Sequence, residues 1–232
     1  MSSAPSLMTF PPTDFLDLTQ TAHSELFVDI ANVWEALSKI ALYLAKNLRP
    51  ANHGTLIGTP YVGDNVFIGR GTKIEHGATI KGPAWIGENC EIRSGAYIRE
   101  NVIAGDNCVL GNSCEFKNSI LFNGVQVPHF NYVGDSILGY KTHLGAGVIL
   151  SNVRLDQKNI SISTENGRID TALRKFGAIL GDHAEAGCNA VLNPGSILGR
   201  NSLVYPGAQW RGFLPANSIA KIKEVVEVVE RR

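Results

Sequence analysis

Apolar residues return at every sixth position through most of this chain, and no other feature of its sequence constrains the fold as strongly. The fifth position of each six-residue unit is mostly small or β-branched, as at Ala78 and Cys90. The pattern slips near Gly134, resumes at Leu138, and returns as a second run over residues 180–210. The apolar first positions of the first run are Leu56, Val62, Ile68, Ile74, Ile80, Ile86, Ile92, Ile98, Ala104, Leu110, Phe116 and Phe122.

A period of six residues fits neither an α-helix nor a simple alternating strand. It is typical of a solenoid in which each unit forms one short strand and one turn, and three units, about 18 residues, close one triangular coil. The apolar first residue and the small fifth residue then point inward. The repeat therefore predicts an all-β solenoid, a parallel β-helix, over residues 56–215.

Three segments lie outside the repeat. In residues 1–55, apolar side chains at helical spacing predict a helical segment that caps the N-terminal end of the solenoid or forms a surface for a partner. Residues 153–178 contain two alternating runs around Asn166-Gly167, which predict a β-hairpin inserted at a binding face. In residues 216–232, apolar residues on one helical face predict a short C-terminal helix that packs on the solenoid or on a neighbouring subunit.

The charge balance argues against two classes of partner. The 232 residues include 21 Lys and Arg and 21 Asp and Glu, so neither nucleic acid nor an anionic membrane is the expected partner. The start of the chain lacks the basic residues and apolar run of a signal peptide, and no apolar run of about 18 residues could span a bilayer. Four cysteines fit free core thiols in a reducing compartment, so we expect a cytoplasmic protein.

The cysteines and histidines do not predict a metal site. Cys90 and Cys108 are 18 positions apart at fifth positions, so they are expected to stack inside the solenoid as core thiols. The six histidines show no close pair, whereas a zinc site needs several ligands at suitable spacing. We therefore expect no metal.

Two basic residues are placed together by the repeat. Arg99 and Lys117 are 18 positions apart at second positions, so both are expected to project outward on neighbouring coils, about 4.8 Å apart. Two cations this close repel each other unless an anion lies beside them. A bound phosphate could supply that charge, and a solvated ladder with Glu115 as the counter-ion is the alternative.

A histidine near the slip in the repeat is the candidate base. His129 follows Lys117 by two units, so the coil geometry places it on a different face of the same subunit. In a trimer the face of one subunit lies against another, and His129 could then meet the cations of a neighbour. A structural role for a single histidine is the alternative.

Several motifs resemble a known family. The segments Gly111–Lys117, His129–Asp135 and Gly145–Asn152 resemble the acetyltransferase domain of bacterial bifunctional N-acetylglucosamine-1-phosphate uridyltransferase/glucosamine-1-phosphate acetyltransferases. The run Pro128–Ser136 and the segment Arg174–Gly177 are similar to archaeal bifunctional sugar-1-phosphate nucleotidylyltransferase/amino-sugar-1-phosphate acetyltransferases. The resemblance implies that the β-helix is left-handed, that the protein is a homotrimer, and that it transfers acetyl to an amino-sugar phosphate.

The resemblance also implies residue roles. His129 matches the general base that takes a proton from the sugar 2-amino group. Tyr132 matches a sugar-binding phenol, and Asn152 matches the residue that holds sugar and acetyl group in line. The residues implied to bind the sugar phosphate and its surroundings are Arg99, Glu115, Lys117 and Lys158.

Acetyl-CoA is the implied co-substrate, and it would lie in the groove between subunits along the later coils. Lysines in or near these coils could reach its phosphates. The residues implied to contact acetyl-CoA are Lys175, Ala186, Cys188, Pro206, Lys221 and Lys223.

The chain also departs from the family pattern. It shows no glycine-rich nucleotidylyltransferase loop, so we do not expect uridylyl transfer, and a separate nucleotidylyltransferase is one conceivable partner. His143 stands where the bacterial relatives have Asn, and Cys188 stands where they have Ser, which leaves the sugar open, glucosamine or galactosamine 1-phosphate included. The alternatives are an acyltransferase acting on another sugar or a nucleotide-linked sugar, and a non-catalytic solenoid partner.

Overall fold

The computed structural model describes residues 9–164, 167–222 and 230–231. Its main body is a three-sided parallel β-solenoid, whose sides we name sheets A, B and C. Sheet A consists of Ala51–Asn52, Val66–Ile68, Ala84–Ile86, Val102–Ala104, Ser119–Leu121, Ile137–Leu138, Ala178–Leu180, Ser196–Leu198 and Phe213–Leu214. Sheet B consists of Thr55–Leu56, Lys73–Ile74, Glu91–Ile92, Val109–Asn112, Gln126–His129, His143–Leu144, Glu185–Ala186, Leu203–Val204 and Ile219–Ala220. Sheet C consists of Tyr61–Val62, Thr79–Ile80, Tyr97–Ile98, Glu115–Lys117, Tyr132–Gly134, Ile149–Leu150, Val191–Leu192 and Gln209–Trp210.

Each coil passes through sheets A, B and C in that order, and its strands pair in parallel with those of the next coil. In the first run the pairing offset is 18 residues, as for Ile74 with Ile92 and Ile80 with Ile98. These first-position residues are buried in one continuous core inside the column. The predicted all-β parallel solenoid is therefore confirmed, with about nine coils.

Two successive corners between sheets C and A are one residue shorter than those of the first run. The inward residues Phe116 and Leu121 are five positions apart, as are Val133 and Leu138, and the strand offset falls to 17. The phase of the six-residue repeat therefore first changes between Phe116 and Leu121, earlier than the slip near Gly134 that the sequence pattern indicated. Leu121 faces the interior, and Phe122, which was predicted to do so, packs in a separate cluster outside the column.

The N-terminal segment lies along the outer face of sheet A. Residues of its longer helix, Ile40 and Leu44 among them, share a buried cluster with outward-facing side chains of sheet A such as Ile120 and Ile137. These strands carry an apolar residue outward, so sheet A is apolar on both faces and needs a cover. The segment contains the α-helices Pro12–Phe15 and Ala36–Asn47 and the 3₁₀ turns Leu18–Gln20, Ser24–Phe27 and Val33–Glu35.

This position corrects the prediction that residues 1–55 cap the end of the solenoid. Leu56 is an inward residue of the first coil, since it pairs with the buried Ile74, and it remains 49% exposed, so the helical segment does not cover that end. The segment spans most of the length of sheet A instead. His23 contacts Trp85 near one end, with ring centroids 4.9 Å apart, and Phe10 contacts Phe213 near the other, at 5.5 Å.

The predicted hairpin is present within residues 153–178. Its strands, Ser161–Thr164 and Gly167–Asp170, pair in antiparallel fashion, and the turn residues 165–166 lie outside the described residues. Ile160 and Ile162 are buried in the same cluster as the N-terminal segment. The hairpin and the segment together cover the outer face of sheet A, whereas many outward residues of sheets B and C are exposed or half-buried.

The C-terminal part of the described chain differs from the predicted helix 216–232. Ile219–Ala220 is a strand that pairs with Leu203–Val204 in sheet B, so the solenoid continues past residue 215. The remainder of the predicted helix falls mostly on residues 223–229, which lie outside the described residues. No helix within the described ranges has the length and apolarity that a membrane span requires.

Candidate active site

The corner between sheets C and A contains a polar cluster at its two shortened turns. We call it the CA corner; it includes residues 99–101, 117–118, 134–136, 151–177 and 193–195. Asn118 and Asp135 adopt left-handed backbone conformations there, with φ of 45° and 48°. Asn and Asp tolerate this region better than other non-glycine residues. The shortened turns thus bring polar side chains of successive coils together.

Asp135 is the centre of this cluster. Its side chain is almost fully buried, and its two oxygens accept hydrogen bonds from Nδ2 of Asn118 at 2.9 Å and from Nδ2 of Asn152 at 2.5 Å. The same carboxylate forms an ion pair with Nζ of Lys117 at 3.5 Å. A buried carboxylate needs such partners. Asp135 therefore fixes the positions of two residues, Lys117 and Asn152, that were predicted from the sequence.

The amide of Asn152 has one orientation in this network. Because a carboxylate only accepts hydrogen bonds, the nitrogen of Asn152 faces Asp135 and also donates to the hydroxyl oxygen of Tyr132 at 3.2 Å. The amide oxygen remains for a ligand. Burial, followed by the negative charge of Asp135, raises the pKa of the Tyr132 phenol, so the hydroxyl keeps its proton at neutral pH. Gly134 makes this approach feasible, since a Cβ there would lie 2.5 Å from the Tyr132 oxygen.

Arg99 lies one coil before Lys117, as predicted, but it already has carboxylate partners. Its guanidinium contacts Glu115 at 3.0 Å and Glu100 at 3.4 Å. The hydrogen bond with Glu115 raises the pKa of Arg99 further above its usual value. Glu115 is therefore the counter-ion of Arg99 in this structure, as one of the two sequence-based alternatives expected. A bound phosphate would have to share Arg99 with Glu115 and Lys117 with Asp135. Arg99 has five N–H donors and Lys117 has three, so several remain for a ligand.

His129 lies at a different corner. It ends the sheet B strand Gln126–His129, at the turn into sheet C, and its side chain is exposed. The buried side chain of Asn131 fixes this turn: its oxygen accepts from the His129 backbone N–H at 3.1 Å, and its nitrogen donates to the carbonyl of Gly145 at 2.7 Å. The turn between sheets B and C, residues 129–131, 145–148 and 187–190, is the BC corner.

The two corners are well separated within one chain. Five residues along sheet C separate His129 from Gly134, which pairs with Lys117. At a rise of about 3.3 Å per residue, the separation is about 16 Å. One chain therefore does not bring His129 together with Arg99 and Lys117, in agreement with the prediction that they occupy different faces.

Three of the residues implied to bind acetyl-CoA share a shallow cavity. Ala186, Cys188 and Pro206 line a cavity of about 300 Å³ on sheet B and the BC corner, together with His143 and Tyr205. Cys188 is exposed, which differs from the expectation that all four thiols lie in the core; the other three are buried. Lys221 lies at the edge of this cavity, beside Tyr205.

The lysines implied by the resemblance fall into three groups. Nζ of Lys221 lies 5.1 Å from the ring centre of Tyr205, beside this cavity. Lys158 and Lys175 are exposed on the connection that carries the hairpin at the CA corner, away from the cavity on sheet B. Lys223 lies outside the described residues.

Two polar residues of the site were not singled out from the sequence. Asp135 and Asn131 belong to the quoted run His129–Asp135, but their type alone does not distinguish a buried network from an exposed turn. The sequence feature that could have identified them is the break in the six-residue period over this run. A residue removed from a corner leaves backbone groups to be satisfied, and a short polar side chain can do this.

Comparison with known proteins places these observations in a family. A family model described as the GMPPB C-terminal domain matches residues 80–203. The bifunctional sugar-1-phosphate nucleotidylyltransferase/acetyltransferase of Sulfurisphaera tokodaii is 37% identical over 92 residues, 40% of this chain and 23% of that protein. The bifunctional protein GlmU of Methanococcus vannielii is 34% identical over 176 residues, 76% of this chain and 42% of the relative. YaiX of Escherichia coli K12, named as an uncharacterized acetyltransferase, is 34% identical over 69% of this chain and 70% of its own length.

The extent of these matches decides what they mean. The chain spans less than half the length of the two bifunctional relatives, and it corresponds to their C-terminal part. The family model covers 124 of the 232 residues, more than half of the chain, and those residues contain both corners described above. The resemblance found in the motifs is confirmed, and the chain belongs to the GMPPB C-terminal domain family of hexapeptide-repeat solenoids.

Proposed function

We propose that this chain transfers the acetyl group of acetyl-CoA to the amino group of an amino-sugar 1-phosphate. The names of two relatives support acetyl transfer, since the bifunctional protein of Sulfurisphaera tokodaii and YaiX of Escherichia coli are both named as acetyltransferases. The observation that carries the proposal is the CA corner, where Lys117, Tyr132 and Asn152 converge on the buried Asp135. Two cations, a phenol and an amide oxygen are suitable groups for a phosphorylated sugar.

The reaction needs a base for the amine and a stabilised oxyanion. The amine attacks the thioester carbonyl, its proton passes to the His129 imidazole, and the thiolate of CoA leaves and is protonated. Backbone N–H groups of the solenoid corner suit the oxyanion. The exposed His129 suits proton transfer because neutral imidazole accepts a proton near pH 7.

A second copy of the chain completes the site in this proposal. His129 is about 16 Å from the cations of its own chain, too far for one amine to contact both. The outer faces of sheets B and C are free for association, whereas sheet A is covered by the N-terminal segment and the hairpin. We therefore propose a homotrimer in which the BC corner of one subunit faces the CA corner of the next.

Acetyl-CoA fits the same arrangement. The cavity lined by Ala186, Cys188 and Pro206 lies on the BC corner, the side that contributes His129. Lys221 stands beside this cavity and could pair with a phosphate of the donor. Direct attack of an amine on a thioester requires no metal in this scheme.

The test is mass spectrometry of the products formed from acetyl-CoA with a panel of amino-sugar 1-phosphates, nucleotide-linked sugars and unphosphorylated amino sugars. We expect an acetylated amino-sugar 1-phosphate, and a kcat lower by about 10²–10⁴-fold in His129→Ala. The exposed His76 is the matched control, and His76→Ala should keep full activity. Absence of product from the whole panel would favour a non-catalytic role.

Subunit mixing tests whether the site is shared. His129→Ala and Lys117→Ala should each be inactive alone. After exchange of subunits in a 1:1 mixture, about a quarter of the sites would contain neither substitution, so about a quarter of the wild-type activity should return. No recovery from a mixture shown to have exchanged subunits would contradict the shared site.

A further inference from the structure

The hairpin insertion forms a second concentration of positive charge. Arg154, Lys158, Arg168 and Arg174 line one depression of about 620 Å³, which we call the basic depression. Asp170 also contributes to its wall. The cations come from both sides of the insertion, the loop before the hairpin and the strand and connection after it. A ligand in the depression would be held from two sides.

Most of these cations are available for a ligand. Arg154 forms a two-point ion pair with Asp156, at 2.9 and 2.6 Å. Among the described residues, Arg174 donates a side-chain hydrogen bond to the neutral amide oxygen of Gln157, at 3.1 Å, and forms no ion pair. Lys158 and Arg168 have no carboxylate within 4.0 Å in the part of the chain that the structure describes.

The depression is positive although the chain is neutral. Among the residues that the structure describes here, four cations and the two carboxylates of Asp156 and Asp170 leave a local charge of +2, whereas the chain has 21 positive and 21 negative residues. A net charge concentrated in a concave surface attracts an anion of matching charge. A diphosphate group, with at least one negative charge on each phosphate, can neutralise this charge and presents oxygens to both walls.

The basic depression also continues the CA corner. Residues at the ends of successive sheet C strands, or directly after them, stack along this corner, from Lys117 through Gly134 and Ser151 to Asn193 and Arg211. Four steps of about 4.8 Å give about 19 Å from the first to the last. A cavity of about 450 Å³ lined by Ser151, Asn193 and Arg211 shares Arg154 with the basic depression. The two cavities adjoin each other beside the proposed acceptor site.

We propose that the basic depression is a binding site for the diphosphate group of a nucleotide. Guanidinium groups suit this ligand because each can bond two phosphate oxygens at once. The diphosphate could belong to a nucleotide-linked sugar or to CoA, which share this chemistry. The proposal does not depend on acetyl transfer, because binding can be measured without turnover.

The experiment is isothermal titration calorimetry of the full chain with UDP, CoA and inorganic phosphate. The test variant is Arg168→Gln/Arg174→Gln, which removes two exposed cations of the depression. The matched control is Arg70→Gln/Lys73→Gln, which removes two exposed cations several coils away and changes the net charge equally. We expect UDP or CoA to bind the test variant at least about 10-fold more weakly than the wild type, and to bind the control within about two-fold.

Each outcome decides the proposal. A loss confined to UDP supports the site and assigns it to a nucleotide-linked sugar, and a loss confined to CoA supports the site and assigns it to the donor. Unchanged affinity of both nucleotides in the test variant, or no binding of either to the wild type, would overturn it. Inorganic phosphate bound as tightly as UDP or CoA would overturn the assignment to a diphosphate.

Discussion

Acidification should weaken the attachment of the N-terminal segment to sheet A through a single histidine. His23 is 2% exposed, and its Nδ1 lies 2.9 Å from the hydroxyl oxygen of Tyr43. Its ring also contacts Trp85 edge-on. Burial lowers the pKa of His23 from 6.5 to about 4, and the negative charge of Asp106 offsets only part of this effect. The imidazole is therefore neutral in the folded protein at pH 5.

The sign of the effect follows from the two pKa values. The unfolded chain binds a proton at His23 below pH 6.5, whereas the folded chain binds it only near pH 4. The free energy of unfolding therefore falls as the pH is lowered from 6.5 to 4, and the contribution of His23 is fully present above that window. The difference of about 2.5 pKa units corresponds to about 3 kcal/mol.

Urea unfolding at pH values from 7.5 to 4.5 measures this contribution when the wild type is compared with His23→Phe. The variant keeps an aromatic ring against Trp85 but cannot be protonated, so the difference in unfolding free energy should change by about 2–3 kcal/mol over this range. Carboxylates that titrate below pH 5 affect both proteins equally. His76→Phe, at an exposed position, is the control and should follow the wild type. Parallel curves for the wild type and His23→Phe, within about 0.5 kcal/mol, would refute the buried neutral imidazole.

Three further predictions concern the site and the core. Gly134→Ala should lower kcat/KM by about 10²-fold without unfolding the chain, because the new Cβ would displace the Tyr132 hydroxyl and the Asn152 amide; equal rates in a steady-state assay would contradict this. Ile40→Ala should destabilise the protein by about 2–5 kcal/mol in urea unfolding, since Ile40 is fully buried, whereas Leu42→Ala at an exposed position of the same helix should cost less than about 0.5 kcal/mol. Treatment with EDTA should leave the rate of acetyl transfer unchanged; inhibition that added metal reverses would show that the proposed chemistry is incomplete.

The solenoid could be predicted from sequence because each inward position repeats a local choice. Ile74, Ile80 and Ile86 need only an apolar side chain and a turn after it, and no distant contact has to be known. The frame shift was harder to locate. Leu121 and Phe122 are both apolar, so the pattern alone could not decide which faces the interior.

The position of the N-terminal segment needed information beyond its own residues. An amphipathic helix indicates that one face is buried, but not which surface covers it. A signal was present elsewhere, because sheet A strands repeat an apolar outward residue, as at Ile103, Ile120 and Ile179. The candidate site was predicted in part: Lys117, Tyr132 and Asn152 do lie together, but the buried carboxylate of Asp135 that joins them was not singled out.

The N-terminal segment has a consequence for how the protein unfolds. A solenoid whose coils touch only their neighbours can fray from its ends, coil by coil. Here one continuous piece of chain contacts the outer face of sheet A from Trp85 to Phe213, so a coil between these two residues cannot open without also giving up contacts with that piece. The segment therefore couples these coils, and amide exchange in the strands of sheet A from Ala84–Ile86 to Phe213–Leu214 should proceed as one cooperative unit, whereas the coils before them can fray separately.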